Sequence, residues 1–105
     1  MGVVVDEEGV VYLSDRKRGK VFEVTNGEVE TLVRYLKRPV GLAIDSEGHL
    51  LIVEEDEGRL LRLDEVGNLT VVAEGMKEPR WVVVGEDGTI YLSAEGLRSK
   101  RKRSR

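Results

Sequence analysis

Cysteine is absent from this chain of 105 residues, which excludes disulfides, thiol nucleophiles and thiolate metal sites. Histidine occurs once, at His49, so a zinc site or a Ser-His-Asp triad would have to be built around that residue alone. No apolar run approaches the ~18 to 20 residues of a membrane span. Met1-Gly2 leads straight into Val3-Val4-Val5 and an acidic turn, which is not a leader pattern. A cytoplasmic protein with no membrane partner is therefore expected. Glutamine is missing and asparagine is confined to Asn26 and Asn68, while Glu, Arg and Lys abound. That bias matches the charged, thermolabile-poor surfaces of proteins from hot environments, and a thermophilic source is expected. Aromatics are sparse at 5%, yet 40% hydrophobic and 35% charged residues describe a globular chain of one small domain at most.

Charge is unevenly spread. Arg98, Lys100, Arg101, Lys102, Arg103 and Arg105 put six positive charges and no acid into residues 98–105. Taking these six from the 17 basic residues leaves 11 against 20 acids, so the body is near −9. Such a tail can displace counterions from nucleic acid. No aromatic residue is interleaved for base stacking, however, and the acidic body repels a polyanion. A disordered tail that folds back on acidic surface is the plainer reading, with nucleic-acid binding as the alternative.

The body repeats itself. Gly2-Val3-Val4-Val5-Asp6-Glu7-Glu8-Gly9 aligns with Gly41-Leu42-Ala43-Ile44-Asp45-Ser46-Glu47-Gly48 at an offset of 39, and Val11-Tyr12-Leu13 aligns with Leu50-Leu51-Ile52. An extra residue, Val66, shifts the offset to 40, after which Pro39 falls on Pro79. A third copy begins at Arg80, places Val82-Val83-Val84 on Leu42-Ala43-Ile44, and stops near Gly96. Glu7-Glu8-Gly9, Ser46-Glu47-Gly48, Glu86-Asp87-Gly88 and Asn26-Gly27 supply the turn chemistry of hairpins. Each full repeat thus divides into four antiparallel strands, and the half repeat adds two. The first strand of a repeat is apolar on both faces and the last alternates, as expected for a buried inner strand and a wetter outer one. These are blades of a β-propeller, two and a half of them, over 2–39, 40–79 and 80–97, followed by the tail 98–105.

The stretch Arg38-Pro39-Val40-Gly41-Leu42-Ala43-Ile44-Asp45, with Glu47-Gly48 and Gly58-Arg59-Leu60, resembles NHL-repeat propellers. It is also similar to the sugar-lactone lactonase group, which includes gluconolactonase and strictosidine-synthase-like proteins. The resemblance implies an all-β propeller whose ring usually has six blades, and says little of function, because such repeats serve enzymes, scaffolds and nucleic-acid binders. A lactonase of that group would hold a divalent metal, with its characteristic aspartate just after the proline preceding an inner strand. Val40 and Arg80 occupy those positions and are no ligands for a hard cation. No catalytic residue, metal or cofactor is assigned.

Three residues mark a candidate ligand site. Trp81 replaces the glycine of positions 2 and 41 at the start of an inner strand, and Arg38 and Arg80 flank the same face. A channel mouth of this kind would receive an anion or a sugar, unless Trp81 fills a subunit junction instead. Glu54-Glu55-Asp56-Glu57 reads as a solvated hairpin, His49 as a surface residue, Asp15 as a tie for its loop, and Tyr12 and Tyr91 as blade packing. Two and a half blades do not close a ring, so the expected state is a homodimer with six blade positions, or a higher closed oligomer. The expected role is a non-catalytic binding or scaffold module, as a subunit or as a fragment of a longer propeller. The alternatives are a lactonase-type metal-dependent hydrolase with a site completed between chains, and nucleic-acid binding through the tail.

Overall fold

Turns set the strand ends. Asp6 Oδ1 accepts the N–H groups of Glu8 and Val10 at 2.9 Å each, and Asp45 Oδ1 accepts those of Glu47 and His49 at 2.9 and 2.8 Å. Each carboxylate thereby satisfies the backbone of a tight reversal whose glycine, Gly9 or Gly48, has positive φ. The computed structural model describes residues 1–97. Among these the strands are β1 (Val3–Val5), β2 (Val11–Asp15), β3 (Lys20–Thr25), β4 (Glu28–Val33), β5 (Pro39–Ile44), β6 (Leu50–Glu54), β7 (Arg59–Leu63), β8 (Leu69–Ala73), β9 (Met76–Lys77), β10 (Val82–Val84), β11 (Ile90–Leu92) and β12 (Gly96–Leu97). β1-β2-β3-β4 and β5-β6-β7-β8 are antiparallel four-stranded sheets, β10 pairs β11, and β9 pairs β12. The chain is all-β, and no helix occurs among the described residues.

Register repeats with the sequence. Val3 lies opposite Leu13, Leu42 opposite Ile52, and Val82 opposite Leu92. Because side chains alternate across a strand, each sheet has a back face toward the preceding sheet and a forward face toward the next. Two apolar clusters fill the joints between them. In the first, Leu42, Leu50, Ile52 and Leu61 of the middle sheet meet Val4, Tyr12 and Val21 of the first, with Leu36 closing the outside. In the second, Ala43, Leu51, Val53 and Leu60 meet Val82, Val84, Ile90 and Leu92. Burying one such Val, Leu or Ile side chain contributes about 1.5 to 3 kcal/mol, so these joints hold the chain together.

The inner strands approach one another at their starts. A Cβ built on Gly2 would sit 2.2 Å from the Val40 carbonyl oxygen, and one on Gly41 would sit 2.2 Å from that of Arg80. Glycine is required at both positions because backbone lies where a side chain would begin. At the first joint Ser14 bridges the two strands: its Oγ accepts the Gly2 N–H and donates to the Val40 carbonyl, each at 2.7 Å. Val53 takes the equivalent place at the second joint.

The inner strands differ from the sequence reading in their exposure. β5 is covered on both faces, as expected, but Val3 and Val5 of β1 are 60% and 56% exposed and Val83 of β10 is 60% exposed. Among the described residues only the middle sheet has a neighbour on each side. Tyr91, 57% exposed, is likewise unpacked, whereas its counterpart Tyr12 is half-buried and its hydroxyl donates to Asp6 Oδ2 at 3.3 Å. The pair β9–β12, with Gly96 opposite Lys77 and Leu97 opposite Met76, is an addition to the strands expected from the repeat.

The close approach makes a test. Gly41→Ala is expected to lower unfolding stability by about 2 kcal/mol through overpacking against backbone. Gly96→Ala, whose Cβ would meet nothing within 4 Å, should change it far less. Urea denaturation followed by circular dichroism separates the two.

Candidate functional site

At one end of the inner strands the chain enters each new sheet through a proline, and the residue before it is strained. Arg38 and Glu78 occupy equivalent positions before Pro39 and Pro79 and have φ of 60° and 50°. Proline disfavours the right-handed helical region for the residue before it, but the left-handed conformation seen here still costs about 1 to 3 kcal/mol for a residue with a side chain. The first of these bends is held by its neighbours. Glu55 N–H donates to the Arg38 carbonyl at 2.9 Å, and Asp56 N–H to that of Lys37 at 3.1 Å.

The side chains around these bends form an ion-pair arch. Glu55, 7% exposed, has Oε1 3.5 Å from Arg38 Nε and Oε2 3.3 Å from Arg80 Nε. Arg38 Nε also lies 3.4 Å from Asp56 Oδ1, and Arg80 Nη2 lies 3.5 Å from Glu78 Oε1. One carboxylate thus ties the entry of the second repeat to the entry of the third. These five residues line a depression of about 360 Å³. Glu54 is still more deeply buried, at 1% exposed, and accepts from Arg59 Nε and, at 2.8 Å, from Lys37 N–H. That hydrogen bond raises the Arg59 pKa against the opposing effect of burial.

Glu54 and Glu55 correct the reading of 54–57 as a solvated hairpin. Both are buried, and each has a guanidinium partner because a carboxylate removed from water requires one. Asp56 and Glu57 remain exposed. The structure brings Arg38 and Arg80 to one depression. Trp81 lies in an adjoining one of about 230 Å³, which it lines with Glu78, Arg80, Ser93, Ala94 and Glu95. The sequence analysis missed Glu55 and Glu78. The second was within reach, since it precedes Pro79 as Arg38 precedes Pro39. With two arginines facing Glu55, Asp56 and Glu78, the depression carries one net negative charge.

The opposite end of the inner strands is acidic. Asp6, Glu7, Glu8, Asp45 and Glu47 line a depression of about 410 Å³. His49 is half-buried here rather than at the surface, its Nδ1 3.7 Å from Asp45 Oδ2 and 3.7 Å from Glu47 Oε1. Asp45 Oδ1 is engaged in its turn and Oδ2 also faces Arg62 Nη1 at 3.9 Å. The local geometry is that of a charged turn. Asp15 ties its loop as expected, accepting the Arg18 N–H at 3.1 Å and pairing with Arg18 Nη1 at 2.9 Å. The tail residues Arg98, Lys100, Arg101, Lys102, Arg103 and Arg105 lie outside the described residues.

Solved structures share this arrangement. Virginiamycin B lyase from Staphylococcus aureus superimposes with a TM-score of 0.74 at 17% identity, over 89% of this chain and 33% of that one. A gluconolactonase from Xanthomonas campestris gives 0.75 at 22% identity, over 82% of this chain and 31% of its own. A streptogramin B lyase gives 0.64 at 13% identity, over 90% and 48%. The sequence matches no protein-family model, and no curated protein is significantly similar to it. The chain spans 31% to 48% of the length of these neighbours. The fold is that of a β-propeller, present here in part, and the sheets can be called blades. Among the described residues no helix is long and apolar enough to cross a membrane.

Two outcomes follow from the charges. Glu54→Ala is expected to destabilise the chain by about 3 kcal/mol, because it leaves a partly buried guanidinium and the Lys37 N–H unpaired; thermal unfolding reads this. Backbone hydrogen bonds hold the carboxyls of Asp15, Asp64 and Asp87 below their ordinary pKa, through the N–H groups of Arg18, Asn68 and Thr89 respectively. Their stabilisation is present above the unfolded-state value of about 3.9 and disappears as pH falls through the lower folded values. The melting temperature should therefore fall below about pH 4, less steeply in Asp64→Asn.

Proposed function

We propose that this chain is a non-catalytic propeller module of the cytoplasm that self-associates into a closed ring and uses the ring as a binding or scaffold surface. One observation carries the reading. Positions that are buried where a blade has a neighbour are exposed at the two ends of the array. Leu42, Ala43 and Leu51 are 8%, 7% and 0% exposed in the middle blade. Their counterparts Val3 at one end, and Val83 and Tyr91 at the other, are 60%, 60% and 57% exposed. An apolar face of this kind invites association, and the face that fits is the one that already covers its equivalent inside the chain.

A head-to-tail joint between two copies pairs the open forward face of one with the open back face of the other, twice. That gives six blade positions and leaves no face uncovered, which is the closure condition for such an interface. The depression lined by Arg38 and Arg80, with that of Trp81 beside it, would then recur twice around one channel, where a neutral or cationic polar ligand is the guest its charge admits.

The absence of catalysis in this reading rests on Val40 and Arg80. Val40 is half-buried and packs into the second joint, and Arg80 is committed to Glu55 and Glu78. Neither presents an oxygen ligand at the position where the resembling lactonases carry their aspartate. Light scattering at micromolar concentration is expected to give twice 11.8 kDa; a particle of one chain would overturn the ring. Incubation with simple sugar lactones and added magnesium or calcium is expected to show no turnover above the buffer rate, and sustained hydrolysis would overturn the non-catalytic reading.

A further inference from the structure

The glycines of the internal joints conflict with Trp81. Each joint brings a carbonyl oxygen of the following blade to 2.2 Å from where a Cβ would start, Val40 over Gly2 and Arg80 over Gly41. An ordinary van der Waals contact needs at least 3.4 Å. The third blade has Trp81 at this position, 66% exposed on the same forward face as Val83 and Tyr91. A blade docked there as the second and third are docked would drive its backbone into the indole.

Other features of the position still suit a neighbour. Ser93 repeats Ser14: its Oγ accepts the Trp81 N–H at 3.1 Å, as Ser14 Oγ accepts that of Gly2. In the first blade the same hydroxyl donates across the joint to Val40. Ser93 therefore keeps the donor that a glycine joint would use for the carbonyl of Met1, which aligns with Val40 in a second copy.

We propose that Trp81 makes the joint between two copies a different joint from the two inside each copy. Resting on the self-association proposed above, the inference concerns its geometry. The second copy settles over β10 and β11 with its β1 held off by more than an ångström, the indole buried in the opened seam against Val3 and Val5. Trp81 is then the specificity residue of the assembly: internal joints require glycine and the intermolecular one is shaped by tryptophan, so the two kinds of seam are not interchangeable. Tryptophan suits such a role, because a large, rigid ring at the centre of an interface carries a disproportionate share of its binding energy.

The chain has one tryptophan, so its fluorescence reports the seam directly. Dilution of the wild-type protein through the dissociation range, monitored by sedimentation, is expected to shift its emission to the red and to raise acrylamide quenching as the mass halves. Halving of the mass with unchanged emission would overturn the seam while leaving the ring intact. A one-chain mass at every concentration would overturn both. Substitution then gives an order that simple hydrophobicity would not. Trp81→Ala should weaken association at least tenfold, since its Cβ still blocks the internal geometry and the ring is lost. Trp81→Gly should recover association relative to Trp81→Ala, because it admits the joint that Gly2 and Gly41 admit. If Trp81→Gly associates no better than Trp81→Ala, the proposal fails. Circular dichroism melts of both variants check that the blades are folded, as expected for changes at a side chain this exposed.

Discussion

Backbone contact between successive inner strands is the constraint from which the rest of the molecule follows. The Val40 carbonyl over Gly2 and the Arg80 carbonyl over Gly41 fix how close two blades come. That separation lets the side chains of β5 and β6 pack into both joints, so that Leu51, Ile52 and Val53 are fully buried. It also sets where the connecting loops turn, and hence places Arg38 and Glu78 in their strained conformations beside the same carboxylate. Alanine in place of either glycine would alter packing far from itself, because protein interiors are dense and transmit such displacements.

Much of this was legible in the sequence, and the limits have physical causes. Repeating glycines, three-residue apolar runs and turn motifs fall at a spacing that only four short strands per unit satisfy, so the blades and their register could be read directly. Burial could not be read the same way. Val3 and Leu42 occupy the same repeat position, and only the presence of a neighbouring blade distinguishes them. The acidic run at 54–57 looked solvated because charge is ordinarily solvated, whereas Glu54 and Glu55 are buried against Arg59, Arg38 and Arg80, partners that a one-dimensional pattern does not bring together. β9 and β12 were missed because their pairing joins residues some twenty positions apart and has no alternation to mark it.

The two ends of the inner strands have opposite electrostatic logic. At one, carboxylates cluster in turns and satisfy backbone N–H groups, with His49 and Arg62 facing Asp45. At the other, each arginine is opposed by an acid and the charges interlock across three successive blades. The first end is shaped by local turn chemistry that Asp6 and Asp45 repeat in the first two units, Gly85 standing in their place in the third. The second depends on residues from different repeats and so exists only in the folded array. Only Glu55 of this network is buried and its partners are about half exposed, so the arch contributes less to net stability than to uniqueness of arrangement.

Among the described residues the middle blade alone is enclosed on both sides, and this has a consequence for how the chain opens. In a linear array each unit is held by its own strands and by nearest-neighbour joints, so the units are not equally protected. The first and third blades each have one joint to lose and can separate without disturbing the other, whereas the middle blade opens only when both have gone. Amide exchange should therefore be slowest along β6 and β7 and progressively faster outward, with β1 and β10 exchanging through partial opening well below the global unfolding free energy. Covering the outer faces would erase that gradient, making the exchange profile a record of how many joints the working molecule possesses.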